Sequence, residues 1–290
     1  MLTQAEKGVV FTGLHKNGGT FLIPNPWDAG SARLLAHLGF EALATSSAGY
    51  AFSTGKPDNA VGRDAMLAHA ATVAAATDLP VSIDLENGFG DAPEVVAETI
   101  RLAAATGAVG GSIEDATQRP GDPLYDRALA VERIKAAAEV VRNLPFPFML
   151  TARAENYLAG KPDLKDTIER LQLYQEAGAD VLYAPGLTSK DDIATLVSSV
   201  DRPVNLLMGL KGVKLTVTEV SALGVKRVSV GSGLARCALG AFIRGAREMR
   251  RHGTFTFADD AEEYRTLNSI FSSPLPQNKI YSYGDSLPHK

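Results

Sequence analysis

Short apolar runs rich in β-branched residues recur along the chain, and each run ends in polar or glycine-rich residues. Continuous apolar runs of this length are typical of strands that are buried on both faces of a parallel sheet. Eight such runs are present, at residues 21–25, 42–47, 81–86, 111–115, 148–154, 181–186, 204–209 and 227–232. The chain is therefore predicted to contain eight buried strands.

The segments between these runs carry apolar, alanine-rich faces at helical spacing, as at residues 63–77, 93–107, 127–143 and 164–178. Several segments end in a glycine just before the next strand, and glycine suits the left-handed conformation that closes a helix. These glycines are Gly39, Gly107, Gly178 and Gly224. Eight strand–helix units predict an α/β fold, the (β/α)8 TIM barrel. The alternative, an open doubly wound sheet, usually has a glycine-rich phosphate-binding turn after its first strand, where this chain reads NPWDAGSA.

The barrel is expected to span residues 1–253 and to end in a long helix from about Leu234 to His252. Residues 254–290 are predicted to add a helix within 259–271 and an irregular tail, without forming an independent domain. At 290 residues and 45% hydrophobic composition, the chain is long enough to bury one large core.

Charge and composition exclude several classes of partner. The net charge of -4 and the pI near 5.8 offer no basic surface for nucleic acid. No apolar run is long enough to cross a bilayer, and the N-terminal residues lack the pattern of a secretory signal. The single cysteine, Cys237, excludes an internal disulfide or a cysteine-based metal cluster. We expect a cytoplasmic protein with no nucleic-acid or membrane partner.

Acidic residues stand where the predicted strands end, at Asp84, Glu86, Glu114 and Asp115. The carboxyl ends of barrel strands meet on one face, so these side chains are expected to form one site. Buried carboxylates are costly unless they are paired or bound to metal. They predict a site for Mg²⁺ or Mn²⁺, held directly or through water. Along an extended strand, Asp84 and Glu86 would face the same side. The alternative is that the acids cap helices or pair with Arg153.

Other polar residues lie at the same predicted face. Arg153 ends the fifth strand, where a guanidinium grips a carboxylate or phosphonate, or else forms a structural salt bridge. The small residues Ser46, Ser47 and Ala48 predict a turn whose N–H groups approach a substrate carboxylate closely. Asp58 precedes the helix that begins near Arg63, so helix capping is its ordinary explanation.

Two common catalytic arrangements are missing from the sequence. No lysine lies at a predicted strand tip, which argues against a Schiff-base aldolase. No Gly-x-Ser-x-Gly elbow or Ser/His/Asp arrangement is present either, since the histidines fall on helices and tails.

Seven ordered motifs within residues 20–245 resemble the isocitrate lyase/phosphoenolpyruvate mutase superfamily, and most closely its phosphoenolpyruvate-mutase-like (2-methylisocitrate lyase-like) branch. The motifs are PNPWDAGSARLL, ATSSAGYAFSTGKPD, DLENGFGD, SIEDA, TARAE, ADVLYAPGL and PVNLL. The resemblance implies an enzyme that cleaves or forms a C–C or P–C bond beside a carboxylate, through an enolate held on Mg²⁺. It also implies a homotetramer in which the helix after the eighth strand is swapped between subunits.

The resemblance implies a role for each matching residue. Asp84 and Glu86 match the D-x-D metal pair, with Glu in place of the second Asp, and Glu114 matches the acid that completes the metal shell. Arg153 matches the arginine that binds the anionic end of the substrate, and Asp58 matches a carboxylate near the reacting group. The remaining matches are substrate contacts at Ser46, Ser47, Ala48 and Asn205, and at Trp27 in the first-strand motif.

The loop after the fourth strand departs from the family pattern. It reads ATQRPGDPLYD and lacks the K-K/R-C-G-H motif whose cysteine is the catalytic acid of isocitrate and methylisocitrate lyases. The lysines and asparagine of phosphonopyruvate mutases are absent too, which leaves Arg119 as the basic candidate in this loop. The resulting expectation is a Mg²⁺-dependent lyase that cleaves a C–C bond of a small 2-hydroxy or 2-oxo carboxylate. The alternatives are a P–C enzyme of the phosphonopyruvate hydrolase or mutase type and a non-catalytic barrel that binds a 2-oxo acid.

Overall fold

The computed structural model describes residues 2–273. Its strands are β1 (Phe21–Leu22), β2 (Leu43–Ala44), β3 (Val81–Asp84), β4 (Gly110–Glu114), β5 (Ala116–Arg119), β6 (Asp122–Leu124), β7 (Met149–Arg153), β8 (Val181–Tyr183), β9 (Val204–Leu207) and β10 (Arg227–Ser229). Eight of them form one parallel sheet in the order β1-β10-β9-β8-β7-β4-β3-β2. At the two ends of this order, the Ala44 N–H donates a hydrogen bond to the Pro24 carbonyl oxygen at 3.1 Å. The predicted (β/α)8 barrel is confirmed. Seven of its eight strands lie within a predicted run, and β4 begins one residue before its run.

Helices alternate with the barrel strands. They are α1 (Gln4–Lys16), α2 (Ala29–His37), α3 (Ser47–Ser53), α4 (Arg63–Ala75), α5 (Pro93–Ala104), α6 (Arg127–Arg142), α7 (Leu164–Ala177), α8 (Lys190–Ser198), α9 (Val217–Ala222), α10 (Gly233–His252) and α11 (Tyr264–Ser272). The predicted closing glycines adopt positive φ angles, and Gly178 has φ +109° at the end of α7. A Cβ atom at Gly178 would lie 2.8 Å from the Ala138 Cβ, so α6 and α7 pack closely at that point.

Three elements were not predicted. Helix α1 lies against the N-terminal ends of the strands and buries Phe11 with Phe21 and Ile23. Strands β5 and β6 form an antiparallel hairpin within the loop after β4. Helix α3 begins where the sequence predicted a turn of small residues.

The main apolar core lies between the barrel strands and the surrounding helices, and it contains residues such as Ile83, Ile100, Leu150 and Leu182. The inside of the barrel is different, because buried polar side chains project from several strands there. They include Ser82, Thr151, Asn205, Arg227 and Ser229. This polar interior leads to the carboxyl ends of the strands, where the candidate site lies.

The C-terminal helices cover different parts of the barrel. Helix α11 packs on α2, where Arg33 donates to the Ser273 carbonyl oxygen at 2.7 Å and lies over the Phe271 ring. Helix α10 instead exposes apolar side chains, including Phe242 and Ile243. The predicted irregular tail from residue 274 onward lies outside the described residues. None of the helices in residues 2–273 has the length and apolar character required to cross a membrane.

Candidate active site

A cavity of about 170 Å³ opens at the carboxyl ends of the strands and extends into the barrel. The sequence-predicted residues that line it are Ser46, Ser47, Ala48, Asp58, Asp84, Arg153 and Asn205. Three other predicted residues, Trp27, Glu86 and Glu114, are not among its lining residues. Trp27 lies at the start of α2, where its carbonyl oxygen is 3.0 Å from His69 Nε2.

Arg153 lies at the centre of the acid cluster and pairs with three carboxylates. Its Nη1 is 3.0 Å from Asp84 Oδ1, its Nη2 is 3.0 Å from Glu114 Oε2, and its Nε is 2.8 Å from Glu155 Oε1. Burial opposes its charge, but these three acids raise the pKa of Arg153 well above its usual value. Burial raises the pKa values of Glu114 and Glu155, although the arginine opposes this rise. Arg153 therefore forms the structural salt bridges that were the alternative interpretation of this residue.

Asp84 is held by the first residue of α3. The Ser47 N–H and hydroxyl group both donate to Asp84 Oδ2, at 3.1 and 2.8 Å. Ser46 caps the helix by accepting a hydrogen bond from the Gly49 N–H. The expected turn at residues 46–48 is thus wrong, because Ser47 and Ala48 are helical. The Ser47 N–H group holds a protein carboxylate in this structure.

The prediction that Asp84 and Glu86 face the same side of an extended strand is wrong, because β3 ends at Asp84. Glu86 has φ +49°, a left-handed conformation that redirects its side chain into a neighbouring crevice beside Asn59 and Gln118. Its Oε1 atom is buried without a hydrogen-bond partner within the described residues. Burial, and after it the charge of Asp84, raises the pKa of Glu86 to about 7.

The acids do not form a preassembled metal cage. Within residues 2–273 no three His, Cys, Asp or Glu side chains lie close enough together to hold an ion directly. Arg153 separates Asp84 from Glu114. The donor set still fits a hard dication that has few protein ligands and several waters, since one buried Glu86 oxygen has no partner within the described residues and the charge of Asp84 acts on the Glu86 carboxyl group.

Asp58 lies at the mouth of the cavity. The capping explanation is wrong, because Gly62 precedes α4 as its N-cap residue and makes no side-chain hydrogen bond. The carboxyl group of Asp58 is exposed, yet the surrounding protein desolvates it in part and Asp84 adds like charge. Both effects raise the pKa of Asp58.

The β5–β6 hairpin lies beside this mouth. Arg119, the predicted basic candidate, is turned toward Asp91 and pairs with its Oδ2 atom at 2.8 Å. The neighbouring Gln118 instead reaches across the site, and its Nε2 donates to Asn59 Oδ1 at 2.9 Å. It also lies 3.5 Å from Glu86 Oε2. The side chain that the hairpin presents to the acid cluster is therefore a neutral amide.

Two supporting groups have roles that the sequence did not predict: Asp115, which was expected in the metal site but pairs with Arg170, and Arg227. Asp115 is buried behind the cluster, where it accepts hydrogen bonds from the Glu155 N–H, Arg170 and Tyr174, so it holds the backbone two residues beyond the end of β7. Arg227 lines the inner end of the cavity and donates to Asn205 Oδ1 at 2.8 Å. A charged residue at the start of a buried strand was the available signal for Arg227.

The fold and site define a parallel α/β barrel whose strand ends carry an acid cluster around one arginine. The family model described as "Phosphoenolpyruvate phosphomutase" matches residues 11–250, and the chain belongs to this family. A 2-methylisocitrate lyase of Halalkalibacterium halodurans is 30% identical over 210 residues, which cover 70% of this chain and 67% of that protein. The superfamily therefore contains lyases and mutases.

Solved structures agree with this assignment. A putative lyase/mutase from Burkholderia cenocepacia J2315 is 64% identical, with a TM-score of 0.92 over 94% of this chain and 98% of that one. An oxaloacetate acetylhydrolase in complex with its product oxalate is 26% identical, with a TM-score of 0.82 over 92% of this chain and 94% of that one.

Proposed function

We propose that the protein is a Mg²⁺-dependent lyase that cleaves a C–C bond of a small 2-hydroxy or 2-oxo carboxylate. The observation that carries this proposal is the excess of acid at the strand ends. Asp84, Glu114 and Glu155 pair with the single guanidinium of Arg153. Glu86 adds a fourth carboxyl group in the neighbouring crevice, and one of its oxygens has no partner in the described residues. A bound dication would offset this buried negative charge.

The size and lining of the cavity support a small acid. A volume of about 170 Å³ suits a ligand of a few carbon atoms, and hydroxyl and amide groups from Ser46 and Asn205 line it. A related structure, the oxaloacetate acetylhydrolase above, holds the two-carbon acid oxalate. This agreement favours a short substrate over a bulky one.

The site residues have different roles in the proposed reaction. Asp84, Glu86 and Glu114 would hold the metal, and Mg²⁺ when bound would stabilise negative charge on the substrate oxygens as a Lewis acid. Arg153 fixes Asp84 and Glu114 and balances their charge. Asp58, at the cavity mouth and with a raised pKa, accepts or returns a proton.

The hairpin closes the mouth and excludes water in this proposal, as mobile lids do. Because the hairpin presents Gln118 rather than a cysteine, the proton for the departing group must come from Asp58 or from water. This excludes the loop-cysteine mechanism of the isocitrate and methylisocitrate lyases from the proposal.

The test is calorimetric titration of metal-stripped protein with oxalate, a mimic of the pyruvate enolate, with and without Mg²⁺. We expect oxalate to bind when Mg²⁺ is present and to lose affinity without it. Asp84→Asn should abolish this dependence, whereas Asp64→Asn, whose side chain is exposed on α4, should not. The same oxalate affinity with and without Mg²⁺, or no binding at all, would reject the proposal.

Turnover then separates the two bond types. A screen of 2-hydroxy and 2-oxo acids should yield a cleaved C–C product. Release of inorganic phosphate from phosphonopyruvate would instead assign the protein to P–C cleavage. Oxalate binding without any turnover would favour the non-catalytic barrel.

A further inference from the structure

Small and polar residues make up most of the cavity lining in the barrel interior beneath the acid cluster, beside a few larger apolar residues such as Ile23 and Leu207. TIM barrels normally fill this space with layers of bulky branched side chains. Here the cavity extends inward between small residues of four strands or strand ends, and it reaches Arg227. These small residues are Ala44, Ser82, Ser112 and Ser229. The inner end of the cavity is therefore polar and open to a ligand.

Arg227 supplies a positive charge there that no carboxylate of residues 2–273 balances. Its side chain donates from Nε to Asn205 Oδ1 at 2.8 Å and from Nη2 to Thr151 Oγ1 at 3.1 Å. Its Nη1 is 3.4 Å from His15 Nε2. These partners are all neutral, and within residues 2–273 Arg227 makes no salt bridge, although it is only 5% exposed.

The protonation states follow from this burial. Burial lowers the pKa of Arg227 to about 10, so the guanidinium is charged at neutral pH. Burial, with the nearby charge of Arg227, lowers the pKa of His15 to about 3, so His15 is neutral. A buried cation without a counter-ion is unfavourable, and an anionic ligand group would relieve that cost. Arg153 is already paired with three carboxylates, so it does not offer the same attraction.

We infer that the inner end of the cavity is a second anion subsite and that the ligand is a small dicarboxylate whose second carboxylate lies near Arg227. Asn205, which Arg227 orients, and the serine hydroxyl groups would complete this subsite. The inference rests on the proposed function, in which a small carboxylic acid binds beside a metal at the strand ends. It makes Arg227 a residue that determines specificity for a second negative charge.

The experiment compares two ligands that differ by one charge. Malonate carries two carboxylates, whereas in malonamate an amide replaces one of them. We measure both dissociation constants by calorimetry with Mg²⁺ for the parent protein, Arg227→Gln, Arg227→Lys and Arg202→Gln. The parent should prefer malonate by about tenfold or more, and Arg227→Gln should bring that ratio close to one. Arg227→Lys should keep part of the preference, and exposed Arg202→Gln all of it.

A second variant covers the case in which Arg227→Gln does not fold. Ser112→Val fills the inner end of the cavity without removing the charge, and it should weaken malonate more than oxalate. The inference fails if the parent shows no preference for malonate, or if folded Arg227→Gln or Ser112→Val keeps the parent's ratios. Mg²⁺-dependent oxalate binding in that case would leave the proposed function standing. A retained malonate preference without any Mg²⁺ dependence would overturn the proposed function alone.

Discussion

Arg153 links three carboxylates of the site, two of them buried and that of Asp84 partly buried, so its removal should reduce stability. In Arg153→Met, the carboxylates of Asp84, Glu114 and Glu155 lose their shared counter-ion. Breaking a buried ion pair by removing one partner costs about 3–5 kcal/mol. We expect a loss of that size in the free energy of unfolding, measured by urea denaturation of metal-stripped protein.

The matched control is Arg101→Met. Arg101 pairs with Glu98 on the surface of α5, where more than half of its side chain is exposed. An exposed pair contributes about 1 kcal/mol or less. Equal losses in the two variants would show that Arg153 does not balance the buried acids.

The raised pKa of Glu86 predicts how the stability of the metal-stripped protein varies with pH. Its pKa is about 7 in the folded protein, against an ordinary value of 4.5. Between these values the folded state binds more protons than the unfolded state, so the free energy of unfolding falls as the pH rises from 4.5 to 7. The contribution of Glu86 is on the order of 3 kcal/mol across this window.

Glu86→Gln has no proton to lose there, so its stability should fall less steeply than that of the parent across the same window. Urea denaturation at several pH values measures the difference. Glu132→Gln, on the exposed face of α6, should follow the parent. An unchanged slope in Glu86→Gln would contradict the raised pKa.

At the scale of elements, a hydrogen bond joins the β5–β6 hairpin to the loop that carries Asp58. Gln118 donates to Asn59, and both residues adopt left-handed backbone conformations, with φ near +62°. In Gln118→Ala we expect faster amide hydrogen exchange in residues 116–124 and around Asp58. A hydrogen bond of about 1 kcal/mol corresponds to roughly fivefold faster exchange.

Asn59→Ala removes the other partner and should give the same result, whereas Asp64→Ala, beside the same loop, should not. Exchange is followed by mass spectrometry of peptides that cover the hairpin. If only the altered residue's own loop responds, the two loops open independently.

The strands and most helices could be predicted because their patterns are regular. Buried parallel strands such as β3 and β7 read as continuous apolar runs that end in charged residues. Helix α1 was missed because its buried face includes Lys7 and His15, which break the apolar pattern. Lys7 is accommodated by donating to the Thr77 carbonyl oxygen, a contact between residues far apart in sequence.

Part of the site could be predicted because its residues follow from the regular arrangement of the strands. Residues at strand ends, such as Asp84 and Arg153, are brought together by the barrel itself. The positions of Glu86 and Gln118 depend on left-handed conformations at residues other than glycine, which the sequence does not reveal. The partners of Arg153 follow from side-chain packing, so the sequence could offer only alternatives.

At the scale of the whole molecule, α10 has an apolar face that its own barrel leaves exposed. Its buried residues are Ala235 and Gly245, whereas Phe242 is 72% exposed and Ile243 is 44% exposed. Exposed apolar surface of this kind marks interaction sites. We therefore propose that α10 packs on a neighbouring subunit, as the family resemblance implies for a homotetramer.

Phe242→Glu places a charge at the centre of this apolar face, and a buried unpaired charge is strongly unfavourable in an interface. We expect the parent protein to have about four times the 30.7 kDa mass of one chain and the variant to dissociate. Size-exclusion chromatography with light scattering measures both masses. Arg251→Glu is the matched control, because Arg251 lies nine residues further along α10, about two and a half turns away, on the opposite face. A monomeric parent would contradict the proposed assembly. A tetrameric Phe242→Glu variant would show that the interface does not include this face of α10.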